Sequence, residues 1–139
     1  MKKKFVLDNS VTMAMAFEDE KNAYSVRVIK TFGDGYEAIV PVLWRLEVAN
    51  VLLMAIRKKR ITIAEGHRFT TLLSKLPISI AEDPKHSEME NLLSLGHDFG
   101  LTSYDASYLS VALHEGLPIA TNDKGLKKAA KKAGIKIFK

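Results

Sequence analysis

Lys4-Phe5-Val6-Leu7-Asp8-Asn9-Ser10-Val11 is the stretch on which the fold turns. Its short apolar run is stopped by Asp-Asn-Ser, residue types that favour turns and helix starts. A buried strand is therefore expected over residues 4–7, followed by a short helix from Val11 to Phe17. The same alternation continues along the chain. Glu18-Asp19-Glu20 suits a helix N-terminus and opens a second helix to about Phe32, which Gly33-Asp34-Gly35 stops. Tyr36–Val40 reads as a strand, and Pro41 sits where a first helical residue is expected, in a helix running to about Lys59. Thr62 with Glu65 forms capping-box spacing for a helix that ends before Pro77. A strand over Ile78–Ala81 follows, then a helix from Pro84 to about Phe99. Thr102 or Ser103 caps a helix to Glu115, Leu117–Thr121 is a strand, and Asp123–Ala133 is a lysine-rich helix closed by Gly134. Ile135–Phe138 is a last short strand. Short apolar strands alternating with amphipathic helices signal an α/β fold with a mainly parallel sheet, here of about five strands. No internal repeat, linker or low-complexity tract interrupts residues 1–139, which read as one domain.

At 139 residues the chain is long enough to bury a core without staples. Its 47% hydrophobic and 27% charged residues exclude disordered and fibrous classes. With no cysteine, disulfides and thiolate metal sites are excluded, so a metal would need oxygen or imidazole ligands. The basic, then apolar start, Met1 to Leu7, resembles a signal peptide, but Asp8 cuts it far short of an h-region. No later segment is long and uncharged enough to cross a bilayer, so a cytoplasmic protein with no membrane partner is expected. The net charge of +5 is unevenly spread. Arg57-Lys58-Lys59-Arg60 form one block; Lys124, Lys127, Lys128, Lys131 and Lys132 form another. Each block alone reads equally well as a solvated helix end. Together they point to a polyanionic partner such as a phosphate backbone.

Parallel sheets bind ligands at the carboxyl ends of their strands. Four acids have the sequence context to reach that edge. Asp8 directly follows the first expected strand, and Asp123 directly follows the fourth; each could instead be a helix N-cap. Asp105 lies three residues after Thr102, also capping-box spacing, but the small apolar run Ala106–Leu113 places its helix close against the sheet. Glu47 sits in the apolar helix Val42–Met54, with Asn50 one turn on along the same face. A carboxylate buried there must be paired, protonated or bound to a cation. Four such charges together would repel unless neutralised, which a hard divalent cation does naturally. A carboxylate-held metal beside a basic surface suits phosphodiester hydrolysis.

Four stretches in this order resemble the PIN-domain ribonucleases, and in size the VapC toxins of toxin–antitoxin pairs. They are Phe5-Val6-Leu7-Asp8-Asn9-Ser10-Val11, Leu46-Glu47-Val48-Ala49-Asn50-Val51-Leu52, Leu101-Thr102-Ser103-Tyr104-Asp105-Ala106-Ser107-Tyr108 and Pro118-Ile119-Ala120-Thr121-Asn122-Asp123-Lys124-Gly125-Leu126. The resemblance implies a PIN-like three-layer α/β/α fold and Mg²⁺-dependent endoribonuclease cleavage, with Mn²⁺ able to substitute. It places the acidic metal site at Asp8, Glu47, Asp105 and Asp123, with Ser10 and Thr121 as supporting hydroxyls. It also implies an RNA substrate, a cognate antitoxin and homodimerisation. Arg57, Lys58, Lys59, Arg60, Lys124, Lys127 and Lys128 are the candidate RNA-binding cations. Met13, Met15, Phe17, Tyr24, Val28 and Met54 offer apolar surface for a partner's helix, with core packing as the competing reading.

Other chemistry finds little footing. His67, His86, His97 and His114 are scattered without ligand spacing and read as surface residues, and no Gly-rich phosphate loop is present. Neither Ser10 nor Ser103 has a histidine at motif spacing. A phospho-accepting Asp8 would want a carboxylate two residues on, where this chain has Ser10. The remaining competitor is a catalytically silent RNA- or protein-binding domain whose acids are caps and pairs.

Overall fold

Strand β1 (Lys4–Leu7) lies at the centre of the sheet, with Phe5, Val6 and Leu7 fully buried. The computed structural model describes residues 3–139, so Met1 and Lys2 of the basic start lie outside the described residues. Helices α1 (Asn9–Ala16) and α2 (Ala23–Lys30) lead to β2 (Glu37–Val40); α3 (Leu43–Arg57) and α4 (Ile63–Ser74) lead to β3 (Ile78–Ile80). Helices α5 (Met89–Phe99) and α6 (Ser103–Glu115) return to β4 (Ile119–Ala120), and α7 (Lys124–Lys132) follows. Every strand pair is parallel and the order is β3-β2-β1-β4.

That order fixes the layers. Successive steps from β1 to β2 to β3 move one way across the sheet, while the step from β3 to β4 moves back past β1. Right-handed crossovers then place α1–α4 on one face and α5 and α6 on the other. The contacts agree: α1 packs with α2 and α3, α3 with α4, and α5 with α6. The order in which strands are added reverses between β1 and β4, so a crevice opens at the carboxyl ends of those two strands.

Four strands form among the described residues rather than five. Residues 135–138 make only an isolated bridge, Ile137 to Ile119. Strand β4 has just two residues, too few to support a full outer ladder. The segment is held by packing instead: the Phe138 ring stacks on Phe5 at 4.2 Å between centroids. Glu18–Glu20 form a separate 3-10 turn instead of opening a helix, because Asn22 caps α2 by accepting from the Ser25 amide at 2.8 Å. Pro41 precedes α3 by two residues, and Pro84 opens a 3-10 turn (Pro84–Ser87) ahead of α5. The Thr62–Glu65 capping box forms as expected.

The apolar residues that could serve either a partner face or the core divide. Met13, Phe17 and Val28 are core residues, and Met15 and Tyr24 are half-buried against the core. Only Met54 is exposed, beside Val42, Leu46 and Leu53 on α3. Of the histidines, His86 departs from expectation. It is buried, with Nε2 at 3.2 Å from a Glu115 carboxylate oxygen.

Candidate functional site

The crevice is built outward from Asp8. Its amide donates to the Ala120 carbonyl at 2.9 Å, which fastens the end of β1 to β4. Extended backbone there makes Asp8 the N-cap of α1, and its side chain is 5% exposed. Both nearby hydroxyls converge on one carboxylate oxygen: Ser10 Oγ donates to Oδ2 at 2.6 Å and Thr121 Oγ1 at 2.8 Å. Each hydroxyl in turn accepts from a backbone amide, Ser10 from Asn122 at 2.9 Å and Thr121 from Asp123 at 3.0 Å. With an amide proton on the acceptor side, each hydroxyl proton is directed at the carboxylate. Burial still dominates and pushes the Asp8 pKa up, with these hydrogen bonds opposing it.

Asn122 extends the network to α2. Its side-chain amide donates to Ser25 Oγ at 2.8 Å and its carbonyl oxygen accepts from Asn22 at 3.3 Å. Sequence reasoning missed Asn122 and Ser25. The available signal was the run Thr121-Asn122-Asp123 at a strand end, with a turn-forming amide between two site residues.

Glu47 and Asp105 come from the helices on either face. Glu47 is half-buried near the start of α3 and accepts from the Tyr108 hydroxyl at 2.5 Å. Tyr108, fully buried on α6, was also missed; burial and then the Glu47 hydrogen bond push its phenol far up. The Glu47 pKa is raised by burial, and Asp8 adds to it. The far side of α3 is open to solvent, so Glu47 is less enclosed than its apolar neighbours suggest. Asn50 is exposed, and among the described residues no hydrogen bond links it to Glu47.

Asp105 stands in the first turn of α6. Its amide is capped by Thr102 Oγ1 at 3.1 Å, but its carboxylate makes no hydrogen bond among the described residues. Burial raises its pKa to about 6, reinforced by the charges of Asp8, Asp123 and Glu47 in that order. Asp123 is exposed and is the N-cap of α7, with Oδ2 accepting from the Leu126 amide at 2.7 Å. It therefore fills the capping role and still contributes charge to the cluster. None of the four carboxylates has an ion-pair partner among the described residues.

The donors are all oxygens and carry a surplus of negative charge, which fits a hard divalent cation. The spacing is open: among the described residues no three Asp, Glu or His side chains stand together closely enough to hold one ion. That openness fits Mg²⁺ in one respect, since it keeps several of its waters. An apolar groove of about 350 Å³ between α3, α4 and β3, lined by Trp44, Val48, Leu73 and Ile80 among others, contains no acid and is separate from this crevice.

The basic residues fall into two settings. Arg57, Lys58, Lys59 and Arg60 are exposed at the end of α3. Arg60 is committed locally, at 3.1 Å from Asp19 and 4.5 Å above the Phe17 ring. Lys124 begins α7 directly after Asp123, and Lys127 lies 5.6 Å from the Tyr24 ring.

The family profile for the PIN domain matches residues 5–132. The chain belongs to the PIN domain family. This is generally a metal-dependent nuclease fold whose members bind RNA. Among solved structures, PAE2754 from Pyrobaculum aerophilum is similar, with 27% identity and a TM-score of 0.71 over 93% of this chain and 87% of that one. No curated protein matches the sequence. No helix of this PIN domain, among the described residues, is long and apolar enough to cross a membrane.

Proposed function

We propose that this protein is a divalent-metal-dependent endoribonuclease that hydrolyses RNA phosphodiester bonds. Asp8, Glu47 and Asp105 are the principal metal-holding residues, and Asp123 assists directly or through water. The observation that carries this reading is the uncompensated carboxylate cluster. Four acids from separate elements lie around the crevice where the strand order reverses, and their mutual repulsion helps raise Asp105 to a pKa of about 6. Bound there, Mg²⁺ (or Mn²⁺) would supply an acidified water and stabilise charge on the phosphate. The chain's own contribution is orientation. Ser10 and Thr121 fix one Asp8 oxygen and leave Oδ1 with no hydroxyl partner, while Tyr108 holds Glu47.

The RNA backbone is gripped chiefly by Lys124, Lys127 and Lys128, which begin beside Asp123. The block from Arg57 to Arg60 lies ten or more residues beyond Glu47 on α3, about 15 Å away at the helical rise. It serves more distant phosphates. We further infer that the chain acts as a single cytoplasmic domain over residues 1–139, as the toxin of a toxin–antitoxin pair and as a homodimer. The exposed apolar side chains of Val42, the N-cap of α3, and of Leu46, Leu53 and Met54 on it support a protein contact.

The open spacing of the acids favours one competitor, a catalytically silent RNA- or protein-binding domain. Calorimetric titration with Mn²⁺ separates the two. The nuclease reading expects binding that Glu47→Gln weakens, and RNA cleavage that Asp8→Ala and Asp105→Ala abolish while both variants melt cooperatively. Cleavage at the wild-type rate by both variants would sink it. The toxin reading expects growth arrest on expression, relieved by co-expressing the product of a short gene beside this one.

A further inference from the structure

The crevice has two unlike lips. Along the sheet edge the strand order β2-β1-β4 sets Glu47, Asp8 and Asp123 in that sequence. On the two helices that flank the crevice an acid is preceded by an exposed apolar residue: Leu46, 67% exposed, before Glu47 on α3, and Tyr104, 60% exposed, before Asp105 on α6. Tyr104 and Tyr108 are four residues apart on α6 and so share a face. Because Tyr108 reaches Glu47, that face looks toward α3, and Tyr104 stands about 6 Å nearer the helix start, at the mouth of the crevice. Its hydroxyl makes no hydrogen bond among the described residues, so the ring is held in solvent without a polar partner there. At the β4 end the crevice is bounded by exposed Lys124, which has no ion-pair partner among the described residues.

A single nucleic-acid strand has the same cross-section, an apolar base on one side and a phosphodiester on the other. We propose that Tyr104 is a base-stacking platform that seats one unpaired RNA base so that the adjoining phosphate lies toward the carboxylates and Lys124. A base already stacked inside a duplex cannot reach this ring, so the platform selects unpaired RNA. The inference rests on the nuclease reading for its substrate but is testable apart from it.

The test is binding with metal removed by EDTA, read by fluorescence anisotropy of a labelled uridine dodecamer, alone and paired with an adenosine dodecamer. Stacking on one aromatic ring predicts that Tyr104→Ala weakens single-strand binding by about 10-fold, while Tyr104→Phe and Tyr104→Trp bind within about 2-fold of wild type. Duplex binding stays the same in all four proteins. Because the ring is exposed, the variants are expected to melt as wild type does, and a melting scan confirms it. The platform is overturned if wild type does not bind the single strand, if Tyr104→Ala binds it unchanged, or if that variant loses single strand and duplex equally. Unchanged RNA binding would assign the ring to a protein contact instead. Cleavage with Mn²⁺ is measured alongside. Discrimination by Tyr104 without wild-type cleavage removes the nuclease and keeps the platform, whereas wild-type cleavage with no effect of Tyr104→Ala does the reverse.

Discussion

At the start of helix α4, Thr62 and Glu65 close both arms of a capping box. The Glu65 amide donates to the Thr62 hydroxyl at 3.1 Å, and the Glu65 carboxylate accepts from the Thr62 amide at 3.0 Å. At the start of α6, Thr102 and Asp105 have the same spacing, but only the first arm is made, at 3.1 Å. The electrostatic consequences are opposite. The Thr62 amide, then its hydroxyl, hold Glu65 below the usual carboxylate range. Asp105, with burial and three neighbouring acids against it, is pushed up to about 6. Capping geometry alone therefore does not say what a first-turn acid is for. A carboxylate that forgoes an available cap, and sits among like charges, is held for something else.

The largest expected effect breaks the comparison at its functional end. Asp105→Asn keeps the shape and the Thr102 cap but removes the charge, and RNA cleavage with Mn²⁺ should fall by at least about 100-fold. Glu65→Gln, the matched change at α4, should leave cleavage within about 2-fold, since its cap lies outside the carboxylate crevice. Equal effects of the two substitutions on the cleavage rate would mean that the two helix starts do the same job.

A smaller effect lies in stability, where the two acids should pull in opposite directions with pH. Asp105 has a raised pKa, so between about 4 and 6 the folded protein holds a proton that the unfolded chain has lost. Stability of the metal-free protein therefore falls as pH rises through that window, and the full penalty is present above it. Glu65 is lowered, so its contribution is gained as pH rises and lost on acidification. With Asp105 partly open to water, its penalty at pH 7 is about 1 kcal/mol, or a few degrees in Tm. Thermal melts of wild type and Asp105→Asn in EDTA should diverge as pH rises from 4 to 6, the variant becoming the more stable. Added Mn²⁺ should stabilise wild type at pH 7 and leave Asp105→Asn nearly unmoved.

What could be read in advance follows the range of the interaction. Strand β1 and the placement of Asp8 were legible because an apolar run and its stop are local features. So was the Thr62–Glu65 box, whose partners are three residues apart. The α/β alternation and the lysine-rich last helix were legible for the same reason. The Ile135–Phe138 segment shows strand alternation in the sequence but forms only a bridge, because its partner β4 is two residues long, which the local pattern does not reveal. Tyr108 and Asn122 escaped notice because their partners, Glu47 and Ser25, are brought near only where α3 and α6, from opposite faces, reach the same sheet edge, and where the β4–α7 turn meets α2. Met13, Phe17 and Val28 were ambiguous between core and partner surface, and only the packed fold assigns them to the core. Whether Asp105 closes its cap depends on the charges around it, which no local pattern contains.

The smallest effect tests the caps themselves. Thr62→Ala removes the hydroxyl that accepts from the Glu65 amide at 3.1 Å and donates to the Glu65 carboxylate, also at 3.1 Å. Thr102→Ala removes a hydroxyl that, among the described residues, makes only the bond from the Asp105 amide. Loss of an N-cap threonine costs about 1 kcal/mol, so both variants should melt a few degrees below wild type, Thr62→Ala by the larger margin. At α6 there is a second term. The uncapped Asp105 amide becomes a free donor at a helix start, where the macrodipole favours negative charge, and the nearest flexible carboxylate is that of Asp105 itself. If that side chain turns back to its own helix start, it leaves the crevice, and Mn²⁺ binding should weaken by a few-fold in Thr102→Ala but not in Thr62→Ala. Calorimetric titration of the two variants measures this directly. Equal Mn²⁺ affinity in both would show that the Thr102 cap does nothing to keep Asp105 turned toward the other acids.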